Sequence, residues 1–248
     1  MNEKILGEMP LATWRWLGVN AVKTCAEFEE EVIDVADGEI KKVSAVNLSA
    51  NESARKIKIN VGKSARVEFT AADLGRGNFS VDVEINLDGD DSTAEIDSVY
   101  FGDGKRRLDI NYVIRQRGLR TNAVMNVRGA LSDTCDKIFR GTLDFQRGAK
   151  GSVGRELEEV IILSDGVRNR SVPLMLATED DVDGHHAVTV GRLDDEKIFY
   201  LMSRGLDKIA AERLIVEAAF NPVLEKIDDK NLRSHLQAEL KRRLSDDK

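Results

Sequence analysis

Ser64-Ala65-Arg66-Val67, Thr93-Ala94-Glu95-Ile96, Thr121-Asn122-Ala123-Val124 and Gly151-Ser152-Val153 are four returns of one pattern, a polar turn leading into an alternating run. Their second members, Ala65, Ala94, Asn122 and Ser152, follow one another at intervals of 29, 28 and 30 residues. A period of that size predicts a solenoid, in which each coil shields the apolar face of the next. The same turn signals fit a sandwich of regularly spaced strands, so pattern alone leaves both architectures open.

Around these returns lie short alternating runs rich in β-branched and aromatic residues. They include Lys56-Ile57-Lys58-Ile59-Asn60-Val61, Phe79-Ser80-Val81-Asp82-Val83-Glu84-Ile85, Leu108-Asp109-Ile110-Asn111-Tyr112-Val113-Ile114 and Val124-Met125-Asn126-Val127. Period-2 alternation is the mark of strands, and no amphipathic helix interrupts residues 41–200, which excludes alternating βαβ units. After residue 203 the period becomes helical. Asp207 reads as the N-cap of Lys208 to Phe220, a run too apolar to face water on any side. Asn221-Pro222 reads as a stop and a fresh start. Leu232, Leu236, Leu240 and Leu244 mark a further helix with one leucine stripe. Upstream, Trp14 and Trp16 stand two apart, on one face of an extended segment; two indoles are expected to pin it to the body. The expected organisation is an N-terminal segment over 1–40, a β core over 41–202 and a helical subdomain over 203–248.

Composition narrows the function. With 42% hydrophobic and 33% charged residues the chain falls in the globular class, and its apolar runs are far shorter than a bilayer span. Acidic residues among the first ten and the lack of a long apolar stretch there argue against secretion. The two cysteines, Cys25 and Cys135, form neither a disulfide framework nor a Cys-x-x-Cys pair, so a cytoplasmic setting is expected. A formal charge of −7 opposes a nucleic-acid partner.

Chemical motifs are sparse. Gly148-Ala149-Lys150-Gly151-Ser152 lacks the Gly-Lys-Ser/Thr order of a phosphate loop, and Asp88-Gly89-Asp90-Asp91 lacks the glycine position and final glutamate of a calcium loop. Both read as turns. Hydrolase, metalloprotease and dinucleotide signatures are missing, so no enzyme activity is expected. His185 and His186 precede a strand-like Ala187-Val188-Thr189-Val190-Gly191. Adjacent strand side chains face opposite ways, so the two imidazoles do not chelate one ion, and a metal site there needs ligands from another coil or chain.

Longer motifs carry a family resemblance. Asp180-Asp181-Val182, His186, Thr189-Val190-Gly191, Phe199-Tyr200-Leu201 and Ser203-Arg204-Gly205 occur in the order found at the end of the SufB/SufD core. Ile138-Phe139-Arg140-Gly141-Thr142-Leu143, and Ile161-Ile162-Leu163-Ser164-Asp165 with Pro173-Leu174, resemble strands earlier in that core. The chain is similar to this family of iron–sulfur cluster assembly scaffolds over residues 138–220, and resembles its SufD members or short members of minimal systems. The resemblance implies a right-handed parallel β-helix with a C-terminal helical tail, which decides between the two architectures. It implies a non-enzymatic scaffold that docks a SufC-like ATPase, pairs with itself or with a SufB-like partner, and helps build a transient iron–sulfur cluster for apo-proteins. It singles out His186 as a metal ligand; apart from the resemblance, Cys135 in the loop before the Ile138 strand is a candidate thiolate, against the plainer reading of a lone cysteine without an activating neighbour. SufB members carry a cysteine where this chain has Val167 and a glutamate where it has Ala187, while some SufD members carry a cysteine where it has Gly184. The helical tail is expected to dock the ATPase through Arg213, Glu217, Phe220 and Glu225. A purely structural oligomerisation subunit and a β-helical enzyme with carboxylates on adjacent coils are the alternatives.

Overall fold

The computed structural model of the chain describes residues 3–9 and 16–245. Strands β1 (Lys4–Glu8) and β2 (Ala21–Thr24) pair antiparallel. The next twelve strands alternate between two six-stranded parallel sheets. One sheet holds β3 (Glu30–Val35), β5 (Ser53–Val61), β7 (Phe79–Leu87), β9 (Arg107–Gln116), β11 (Asp136–Phe145) and β13 (Arg168–Ala177). The other holds β4 (Ile40–Asn47), β6 (Arg66–Asp73), β8 (Thr93–Gly102), β10 (Asn122–Leu131), β12 (Ser152–Ile162) and β14 (Val182–Arg192). Each coil gives one strand to each sheet and rests on the coil before it, which makes a parallel β-solenoid of six coils.

The repeat is less even than the turn pattern implies. Strands of the second sheet are offset by 26 residues (Ile40 to Arg66), 27 (Arg66 to Thr93), 29 (Thr93 to Asn122) and 31 (Asn122 to Val153). Ala94 therefore pairs with Ala123, not with Asn122. Turn length drifts from coil to coil, whereas register is fixed by the buried face, because a slip of one residue would turn every inward side chain out. That face is continuous: Val67, Phe69, Ala94, Ile96, Ala123, Met125 and Val127 meet Ile57, Ile59, Val83, Ile85, Ile110 and Ile114 across the interior. The rings of Phe69, Tyr112 and Phe139 pack edge to face at 6.4 and 5.8 Å.

One turn column ties the coils together. Gly38, Ser64, Asp91, Arg120 and Gly151 all have positive φ. Each donates its N–H to the next coil, to the carbonyls of Lys63, Asp90, Leu119, Lys150 and Asp181, at 2.7–2.9 Å. Three of these residues carry side chains in a conformation uncommon for them, and Arg120 joins Asp91 through two hydrogen bonds of 2.8 Å. Neighbouring Gly118 stacks so closely on the Gly89 backbone that a Cβ there would overlap it. The acidic Asp88–Asp91 turn and the Gly148–Gly151 turn are thus stacking elements of the solenoid.

Both sheets have covered outer faces. The β1–β2 hairpin lies on the first, held by the buried Arg140, which pairs with Asp109 at 2.5 Å and donates to the carbonyls of Val19 and Ala21. Trp14 lies outside the described residues. Trp16 is 82% exposed, so its indole does not pin this segment; the buried guanidinium, with more directional bonds, does that instead.

The helices begin with α1 (Asp195–Ser203), capped by Asp194. Helix α2 (Lys208–Leu224) is capped by Asp207, whose carboxylate accepts from the Ala210 N–H at 2.7 Å. It runs through Pro222 instead of stopping there. In the last turn proline removes a single helical hydrogen bond, and the Glu225 N–H still reaches the Asn221 carbonyl at 2.9 Å. Asp229 then starts α3 (Lys230–Ser245). Val216, Phe220, Val223 and Leu224 of α2 pack with Leu236 and Leu240 of α3 on Leu74, Val99, Phe101 and Ala130 of the second sheet. The leucine stripe and the solenoid wall together cover most of the apolar helix and leave Ile209 and Leu214 exposed. No helix among the described residues is long and apolar enough to cross a membrane.

Phe220→Ala is expected to destabilise the chain by about 3–5 kcal/mol, because it opens a cavity between helices and wall. Trp16→Ala should stay within about 0.5 kcal/mol. Denaturant midpoints compare the two, and similar small shifts would refute this packing.

Candidate functional site

Two sheet ends are open in a solenoid. At the first coil, β3 and β4 are short and carry Glu30, Glu31, Lys41 and Lys42, charges of the kind that blunt an edge. At the last coil, β13 and β14 are 10 and 11 residues long, and β14 exposes Val190. Nearby, α1 exposes Phe199, Tyr200 and Met202. The first coil exposes Val32 and Ile40 as well, so what sets the last coil apart is the length of its edge strands and the apolar α1 surface beside it.

Beneath that coil the interior changes character. Strand β12 buries alternate residues Ser152, Gly154, Glu156, Glu158 and Val160, so two carboxylates point where lower coils carry Met125 and Val127. Glu158 accepts a hydrogen bond from the Tyr100 hydroxyl at 2.9 Å and pairs with the Lys137 ammonium, all three fully buried. Lys137 also donates to Ser171 Oγ at 3.1 Å on the last coil. Gly129 and Gly141 make room: a Cβ on the first would overlap the Tyr100 ring, and on the second the Glu156 carboxylate. Neither oxygen of Glu156 has a hydrogen-bond partner, and Oε2 of Glu158 has none either.

Burial dominates the titration of this cluster. It pushes Glu156 up to about 8, helped by the neighbouring charge of Glu158. It lowers Lys137 to about 8, against the pull of Glu158, and raises Tyr100 far above the usual phenol range. It raises the Cys135 thiol to about 11, so the fully buried Cys135 is a neutral thiol at neutral pH.

His186 lies on β14 directly in register with Glu156. A Cβ on Gly184 would meet Met175 and Phe145 of the interior, so the alternate residues Gly184 and His186 share the inward face of the last coil. His185 faces the other way and bonds Asp183 through Nε2 at 2.8 Å. His186 is exposed because no seventh coil covers it. Among the described residues no three His, Cys, Asp or Glu side chains converge on a metal-sized space.

The residues expected to dock a partner are not gathered into one patch. Arg213 and Glu217, half-buried, form an i,i+4 ion pair at 3.7 Å, and Arg213 lines a groove of about 540 Å³ with Lys208, Ile209 and Leu244. Glu225 is exposed at the C-terminus of α2, whereas Phe220 is fully buried against the solenoid. Glu156, Glu158 and Lys137 were not singled out from sequence. The available signal was the charged phase of Gly154-Arg155-Glu156-Leu157-Glu158-Glu159-Val160, which becomes informative only once register is known.

Residues 29–219 match the model of a family described as SUF system FeS cluster assembly, SufBD core domain. The chain is 27% identical to the iron–sulfur cluster assembly protein SufD of Bacillus subtilis over 183 residues, 74% of this chain and 42% of that protein. It is 26% identical to SufD of Escherichia coli over 171 residues, 69% of this chain and 40% of that protein. An iron–sulfur cluster assembly SufBD family protein of Pyrococcus horikoshii is 26% identical over 167 residues, 67% of this chain and 37% of the relative. The chain thus spans less than half the length of these three relatives.

Because Glu156 is most stable buried in its protonated form, folding stability should be greatest below its ordinary range near 4.5 and decline as pH rises toward 8. Between pH 5 and 7.5, wild type should lose stability relative to Glu156→Gln with a limiting slope of about 1.4 kcal/mol per pH unit. A difference that stays constant across this window in urea unfolding would show that Glu156 does not titrate this way.

Proposed function

The chain belongs to the SufB/SufD family of iron–sulfur cluster assembly proteins, and from that premise we propose that it is a scaffold whose last solenoid coil receives iron and sulfide as cargo. The observation that carries this reading is the open final coil, where exposed His186 stands in register above buried carboxylates. A neutral imidazole is a suitable ligand for iron, and one histidine needs ligands from elsewhere to hold a cluster. The long edge of β14 is suited to supply them by pairing with a second copy or a SufB-like subunit. In this reading Cys135 is a core residue, since its thiol is buried and neutral. The cluster is transient and passes to apo-proteins in the cytoplasm. Nucleotide hydrolysis belongs to a separate SufC-like ATPase, and this chain performs no catalysis of its own.

The helical layer is the proposed docking surface for that ATPase. Exposed Ile209 and Leu214 flank the Arg213–Glu217 ion pair on α2, so this side of the helix offers apolar and charged groups side by side. Glu225 adds a charge at the C-terminus of α2, and Phe220 fixes α2 on the wall from beneath.

In a reconstituted anaerobic assembly with a SufC-like ATPase, His186→Ala should leave the subunits associated and sharply reduce the iron and sulfide they retain. Unchanged retention would make His186 structural and favour a purely oligomerising role for the chain. Charge reversal at Arg213, Glu217 or Glu225 should leave the chain folded, with stability changes of about 0.5 kcal/mol at exposed Glu225, and weaken ATPase binding. Folded variants that bind as wild type does would place the docking surface elsewhere.

A further inference from the structure

We propose that Glu156 is an interior ligand for a divalent transition-metal cation, held between the fifth and sixth coils with His186 as its outer ligand. The inference deepens the reading of the last coil as the iron-handling end and rests on it.

Glu156 is 3% exposed, and both its carboxylate oxygens lack a hydrogen-bond partner. A buried polar group without a partner is costly, and such groups in folded proteins are normally satisfied by a donor or an ion. The nearby ammonium is already committed: Lys137 is bonded to Oε1 of Glu158, to Ser171 Oγ and to the Arg170 carbonyl. Oε2 of Glu158 is likewise bare, so bare carboxylate oxygens occupy two successive inward positions of β12. Gly141 faces the Glu156 carboxylate, which itself occupies the space a side chain there would fill, so the glycine is what lets this carboxylate lie inside the coil.

The strand ladder supplies the second ligand. Glu156 and His186 are direct partners on adjacent parallel strands, which lie about 4.8 Å apart, and both belong to the inward phase of their strands. A cation between them needs bonds of about 2.0–2.2 Å to imidazole nitrogen and carboxylate oxygen, a span this spacing accommodates. Nitrogen and oxygen donors suit divalent first-row metals. Above His186 the coil is open, so remaining positions are available to water or to a paired subunit.

The test is anaerobic titration of the full chain with Co2+, read by visible absorption and calorimetry, beside Glu156→Gln, His186→Ala and the double variant. Glu156→Gln is nearly isosteric, and thermal unfolding without metal checks that each variant folds. Wild type should bind one Co2+ per chain. Each single variant should weaken binding at least tenfold, and the double variant little more than the weaker single one. If His186→Ala weakens binding and Glu156→Gln does not, the iron-handling end stands and the interior ligand is overturned. If wild type takes up no Co2+, or neither variant changes its uptake, the interior ligand is again overturned, and in the latter case His186 loses its assigned role too.

Discussion

In-register stacking of parallel coils is the constraint on which the rest of this structure depends. Each coil satisfies the backbone groups of the coil below, and the positive-φ column from Gly38 to Gly151 repeats that bond at one corner of each turn. Stacking cannot satisfy its own final edge. Whatever lies on β13 and β14 is therefore presented at one open end of the solenoid, and the polar interior beneath them is the floor of that end. Lys137, Glu158 and Tyr100 neutralise one part of the floor among themselves, while Glu156 stays bare.

Stacking also explains where the covering elements sit. The outer faces of the sheets need shielding wherever they are apolar, and α2 with α3 shields Leu74, Val99, Phe101 and Ala130. The hairpin has a charged fastening. Arg140 and Asp109 form a buried ion pair on the first sheet, and removal of one partner from such a pair typically costs about 3–5 kcal/mol because the other charge is stranded. Each cover therefore combines apolar burial with a buried guanidinium, since Leu6 and Val22 are buried in the hairpin and Arg243 of α3 bonds Asp103 and the carbonyls of Leu74 and Gly75.

Much of the fold was legible because its signals are local. Alternation marked the strands, Asp207 marked a helix start and the leucine stripe marked α3. The solenoid itself was decided by family resemblance, since the turn pattern fitted a sandwich equally well. Pro222 misled because its penalty depends on position within a helix, and Trp16 misled because an aromatic side chain does not declare whether a surface is there to receive it. The opposed facing of His185 and His186 followed from strand geometry alone. The carboxylate floor did not. In β12 either phase contains apolar residues, Leu157 and Ile161 on one face and Val160 on the other, so inward Glu156 could not be chosen without the register. Its neighbour pairs join residues 21 and 58 positions apart, Lys137 to Glu158 and Tyr100 to Glu158, which no short motif connects.

Under the proposed function the last coil, not the first, is the working end of the solenoid. Hydrogen–deuterium exchange tests it most directly, comparing the chain alone with the chain in its reconstituted assembly complex. The backbone amides of 168–177 and 182–192 should gain protection on assembly, while those of 30–35 and 40–47 stay as they are. Protection gained at the first coil, with the last coil exchanging as freely as before, would contradict it.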